Sequence, residues 1–217
     1  MGVILTLGMF FFLNASPSLA FLPSVNWILN RTVALYLQSP VKSIRVGLDG
    51  YDVTDASQKR VRSERLYFKR GYNFRREVVM GETNVIEIMG KGNVLNRASE
   101  LPAEVFPEFM QLYYSLHDPD KGPKGSAVLL AALQRTGVDT SVISINRQDA
   151  AIVWVIGAKP WERNKTQIWL TKDHFRPVRI VLNNGRDVFD WRFMGEQRFD
   201  DLPFLFSGLE LHWNGRL

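Results

Sequence analysis

Ile152-Val153-Trp154-Val155-Ile156 is a run of five bulky apolar residues with no polar residue between them, and it limits what this chain can fold into. A strand with one face in water alternates apolar and polar side chains, whereas one that does not alternate must be covered on both faces. Most of the other strand-like segments do alternate. Ile44, Val46 and Leu48 alternate with Arg45 and Asp49. Phe189, Trp191 and Phe193 form an aromatic stripe on one face of their strand, with Val188, Asp190, Arg192 and Met194 on the other. Leu66 and Phe68 share a face with Arg70, Tyr67 faces the other way, and Tyr72 and Phe74 share a face with Val78 and Met80.

Turn residues punctuate these segments. Arg70-Gly71 joins the strands 61–69 and 72–80 in a tight hairpin, and 84–89 and 94–97 continue the meander through Gly90-Lys91-Gly92-Asn93. A helical period runs from Val25 to Leu37 and stops before Pro40. The middle of the chain predicts two short helices, 107–116 and 126–136, the second with Ser126 as N-cap and Gly137 as C-cap. Strands resume at 138–146, 151–158, 167–172, 177–183, 187–194 and 208–213. The expected class is α+β, mainly antiparallel β. Such a sheet must curl, split or be covered, and a few helices can fill only one side of a curled sheet.

The first twenty residues stand apart. An uncharged apolar run from Val3 to Leu13 leads through a polar break to Ser-Leu-Ala, although no Lys or Arg precedes the run. That pattern predicts a secretory signal peptide, 1–20, cleaved after Ala20. A run of roughly eleven residues falls short of the roughly twenty that cross a membrane as a helix. Residues 21–217 are then one domain in an exported protein. The sequence contains no cysteine, which excludes thiolate zinc sites and a lipid-modified N-terminal cysteine. His117, His174 and His212 lie far apart, and neither a metal site nor a cofactor is expected. The formal charge of +5 is dispersed apart from a cluster between Lys59 and Arg76. For an exported chain that favours an anionic membrane surface or acidic partner over nucleic acid.

Large aromatics can simply be core beneath helices. Taken together, Leu66, Phe68, Tyr72, Phe74, Trp154, Trp169, Phe189, Trp191 and Phe193 instead suggest the lining of a concave apolar chamber roofed by helices. Such a chamber suits an acyl chain, which contributes about 0.8 kcal/mol per buried methylene without directional contacts.

The segment Glu64 to Glu77 (ERLYFKRGYNFRRE) resembles the signature hairpin of the LolA/LolB-like lipoprotein-localisation factors. The stretch Trp154 to Trp213, with VWVIGAKP, IWLTKDHFRPVRIVL and a closing Leu-Pro-Phe, is similar to the second half of outer-membrane lipoprotein-sorting proteins. The resemblance implies an incomplete, curved β-barrel of about eleven strands, with an N-terminal helix and inserted lid helices. It further implies a monomeric periplasmic carrier of lipoprotein or lipid acyl chains, exchanging cargo between an inner-membrane donor complex and an outer-membrane acceptor. Arg70 matches the basic residue that contacts the lid in such carriers, although Gly71 stands where the family often has proline. A guanidinium at that rim can hydrogen-bond lid carbonyls when the chamber is empty and a phosphate or ester oxygen when it is loaded; the alternative is an exposed strand-end arginine in a surface ion pair.

No catalysis is expected. His117, Asp118 and Asp120 fall in one loop and Asp173-His174 in a turn, where Asp is favoured for local backbone bonding. No nucleophile elbow, P-loop or dinucleotide fingerprint is present. A second reading, from a different class, is an envelope sensor or interaction module that binds a protein segment on the same concave sheet.

Overall fold

The computed structural model describes residues 22–38, 43–51, 60–69, 73–80, 83–90, 93–96, 125–196 and 206–215. Helix α1, Val25–Gln38, is followed by the strands β1 (Ser43–Tyr51), β2 (Arg60–Lys69), β3 (Asn73–Met80), β4 (Thr83–Gly90) and β5 (Asn93–Asn96). Helix α2, Gly125–Arg135, precedes β6 (Ile143–Gln148), β7 (Ala151–Ile156), β8 (Gln167–Thr171), β9 (Pro177–Asn183), β10 (Val188–Glu196) and β11 (Phe206–Trp213). The fold is α+β with antiparallel strands in two sheets. One has the order β1-β2-β3-β4-β5 and the other β11-β10-β9-β8-β7-β6.

Capping and burial set the helices. Ser24 caps α1, its hydroxyl accepting from the Trp27 N–H at 3.2 Å, and Ile28, Leu29 and Val33 form the buried stripe. Helix α2 buries Gly125, Leu129, Ala132 and Leu133 and packs against α1. It ends in a Schellman motif at Gly137, whose φ of 82° is the left-handed turn that glycine adopts freely. There the Val138 N–H donates to Leu133 O at 3.0 Å, and both side chains are buried together. Ser126 lies inside the first turn of α2 rather than capping it.

The strand expected from 138 starts only at Ile143. Asp139 organises the intervening turn: its carboxylate accepts from the Ser141 N–H at 3.1 Å and hydroxyl at 2.6 Å, and its carbonyl accepts from Val142. Strand β7 stops at Ile156 because Gly157 has φ 108°. The helix expected at 107–116, the signal segment and the loop with His117, Asp118 and Asp120 lie outside the described residues. Among those described, no helix is long and apolar enough to cross a membrane.

Among the described residues, one buried cluster joins both helices, β1 and β2 to the six-stranded sheet. It combines Ile28, Leu29 and Val33 of α1, Leu66 of β2, and Leu129 and Leu133 of α2 with the inner wall of the six-stranded sheet. Val46 and Leu48 of β1 pack against it.

Candidate functional site

The inner wall of the six-stranded sheet is built by register. One row runs Ile143, Ile156, Ile168, Ile180, Trp191 and Leu211, across all six strands. Beside it Trp154 pairs with Ile145 and Leu170, and Phe189 pairs with Leu182 and Trp213. Phe189 stacks on Trp191 at 5.7 Å and on Trp213 at 5.4 Å between ring centroids, geometry that adds to burial alone. Trp154, Phe189, Trp191, Phe193 and Leu66 therefore belong to one buried cluster.

Trp169 does not join them. The register Val155↔Trp169 places it on the opposite face, in a second cluster with Val153, Val155 and Ala158. This is how β7 comes to be apolar without alternation: Trp154 and Ile156 belong to the first cluster, Val153 and Val155 to the second. The Trp169 indole donates to Gln167 Oε1 at 2.7 Å, while the Gln167 amide nitrogen donates to the carbonyls of Glu162, Arg163 and Lys165. Phe68 and Phe74 lie on β2 and β3 as register partners. Arg70 and Tyr72 fall in the hairpin tip, 70–72, outside the described residues.

One polar atom on the inner wall is unusual. Trp154 is only 6% exposed, yet its indole Nε1 is buried with no hydrogen-bond partner among the described residues. A buried donor left unpaired costs about 1–3 kcal/mol, which is why tryptophan N–H groups in cores are nearly always satisfied. Trp154 sits toward the β8–β9 turn, with Lys172 Nζ 5.8 Å from its ring centroid. Phe175 of that turn packs edge-on against Trp27 of α1 at 5.6 Å, and Arg31 lies 5.4 Å over Trp27. Cations thus flank the aromatic surface at this end of the interior.

Two charged groups escape the sequence reading. On the inner face of the five-stranded sheet, in the same strand alternation as Leu66, Glu64 and Arg76 form a buried bidentate pair at 2.8 and 3.0 Å. On the outer face of the six-stranded sheet, Asp190 accepts from Arg179 at 2.7 and 2.9 Å and from Arg192 at 3.0 and 2.9 Å. The Arg179 guanidinium also lies 4.5 Å over the Trp169 ring. Strict alternation is the signal available for both, because Glu64 and Arg76 interrupt apolar positions and Asp190 sits between aromatic ones.

Asp173 and His174 are exposed in the β8–β9 turn, away from any cluster. Among the described residues no three His, Asp or Glu side chains group to hold a metal ion. Hydrogen bonds from the Asn214 amide, then the Trp213 indole, hold the Asp187 carboxyl below its ordinary range; those from the Ser141 hydroxyl, then its backbone, do the same for Asp139. No family model, curated protein or solved structure matches the chain.

Proposed function

We propose that this chain is an exported, non-enzymatic carrier that shields acyl chains of lipoproteins or lipids between its two sheets. In this reading the sheets are the walls of an incomplete, curved barrel of the LolA/LolB kind, α1 and the segment around 107–116 close it, and Arg70 contacts the lid. Leu66, Phe68, Tyr72, Phe74, Trp154, Phe189, Trp191 and Phe193 line the chamber. Cargo passes from an inner-membrane donor to an outer-membrane acceptor through the periplasm, with no bond made or broken.

The observation that carries the reading is the unpaired indole N–H of Trp154 in an otherwise apolar wall. An acyl chain satisfies both features at once. Its methylenes contribute about 0.8 kcal/mol each on burial, and its ester carbonyl supplies the acceptor that the wall lacks. Transfer then needs only an acceptor that offers more complementary apolar surface, since no covalent step holds the cargo.

The test compares diacyl phosphatidylglycerol with its ether-linked analogue, which keeps the chains and headgroup but loses the carbonyls. The full chain binds the ester form more tightly, tryptophan emission shifts on binding, and Trp154→Phe abolishes the preference while keeping binding of the ether form. Absence of binding to either lipid, with capture of a lipid-free peptide on the same sheet, overturns the carrier reading in favour of an interaction module.

A further inference from the structure

The outer face of the five-stranded sheet carries a concentration of charge that shielding cargo does not require. Alternation and register place Arg45 of β1, Arg65, Tyr67 and Lys69 of β2, and Arg75 and Glu77 of β3 on one face, opposite the side that bears Leu66. Arg45, Arg65, Lys69 and Arg75 are all exposed, against the Glu77 carboxylate among them and that of Asp49, which shares the alternation of Arg45 and pairs with Arg60 at 3.4 Å. Tyr67 is the hub. The guanidiniums of Arg45 and Arg75 lie 5.6 and 6.0 Å from its ring centroid, and its hydroxyl donates to Glu77 Oε2 at 3.3 Å. Glu77 in turn pairs with Arg75 at 2.7 Å and more loosely with Arg65 at 3.8 Å. One acid therefore orients the group without neutralising it, and the arginine side chains keep about half of their surface in water, 58% for Arg65 and 48% for Arg75.

We propose that this face docks on an anionic phospholipid surface, its guanidiniums binding lipid phosphates. Three features favour a bilayer over an acidic protein. The cations lie on a pleated face spanning neighbouring strands at roughly 4.8 Å spacing, which offers a broad surface rather than a cleft. Guanidinium planes match phosphate oxygens in bidentate fashion, and three of the four cations are arginines. On the same face, exposed Val79 and Ile88 follow the charges, giving aliphatic surface that can rest against the headgroup boundary. The docking concerns the face of the sheet opposite Leu66 and does not depend on what the interior holds.

The experiment is flotation of the full chain with phosphatidylcholine vesicles, with and without phosphatidylglycerol. Binding rises with phosphatidylglycerol and falls with added salt, as surface charges are screened within about 10 Å at 0.1 M ionic strength. The pair Arg65→Ala with Arg75→Ala weakens partitioning roughly 25-fold, about fivefold for each cation removed. The pair Arg65→Lys with Arg75→Lys, which keeps the charge and loses the bidentate fork, falls between the parent and the alanine pair, which separates lost charge from misfolding. The pair Arg147→Ala with Arg163→Ala, an equal charge change at exposed positions of β6 and the β7–β8 loop, leaves partitioning within about twofold because those charges lie off the face. Equal loss from both alanine pairs reduces the effect to net charge and overturns the proposal. So does loss confined to Trp161→Ala, which would put docking on the β7–β8 loop, where Trp161 is 73% exposed beside Lys159. Retention of a soluble acidic protein by the arginine face with no vesicle binding also overturns it.

Discussion

Replacing Asp190 with asparagine tests how the aromatic wall is held in place. The substitution keeps the side chain's volume but removes the carboxylate that the Arg179 and Arg192 guanidiniums share, leaving them one neutral amide oxygen. Their burial sets the magnitude. Arg179 and Asp190 are 17% and 10% exposed at the side chain, so this pair behaves as a largely buried one, for which removing a partner costs about 3–5 kcal/mol. Arg192 is 38% exposed and contributes as a surface pair, at most about 1 kcal/mol. Arg179 keeps its contact with Trp169 and can turn partly toward water, which brings the expected total for Asp190→Asn to about 3 kcal/mol. For a chain of this size that is a fall in Tm of about 6–12 °C. Arg192→Ala should cost less than about 1 kcal/mol. Urea unfolding followed by far-ultraviolet circular dichroism gives all the values on one scale. Asp190→Asn within about 1 kcal/mol of the parent, or Arg192→Ala costing as much as Asp190→Asn, refutes the reasoning.

Other expectations rest on different contacts. Arg76→Met should destabilise by about 3–5 kcal/mol, because it takes the bidentate guanidinium from the buried Glu64 carboxylate; a chemical-denaturation midpoint equal to that of the parent would sink this. Gly157→Ala should cost at least about 3 kcal/mol, since its φ of 108° disfavours any Cβ and that atom would lie 2.5 Å from the Thr166 carbonyl oxygen; differential scanning calorimetry reads it as a lowered Tm. The depressed Asp187 carboxyl makes its contribution above the unfolded value and loses it as pH falls through the folded one, which lies below the ordinary carboxylate range. The Trp213 indole N–H resonance should therefore move in that acid window in the parent and stay unchanged across it in Asp187→Asn.

Within-strand alternation carries much of this fold. The stripe of Phe189, Trp191 and Phe193 and the opposite placement of Asp190 and Arg192 follow from parity alone, and β9 has its expected bounds because Pro177 and the Asn183-Asn184-Gly185 turn punctuate it. Parity does not carry across strands. Which face Trp169 occupies depends on whether it pairs with Trp154 or with Val155, and that register is fixed by the loop 157–166 through the Gln167 carbonyl contacts. The early end of β7 and late start of β6 turn on backbone geometry at Gly157 and on the Asp139 turn, both local features that override a strand pattern. The run Ile152–Ile156 offers no polar neighbour for the Trp154 indole, but whether the donor stays orphaned is a property of the assembled neighbours.

Both sheets list their strands in the order in which the chain presents them. Each meander can consequently zip hairpin by hairpin, in steps that take roughly 1–10 μs each. Seating Leu66 in a cluster with Leu170 requires closing a far longer stretch of chain, and contacts so distant in sequence form slowly. In refolding, the strand signal should return ahead of the buried tryptophan environment.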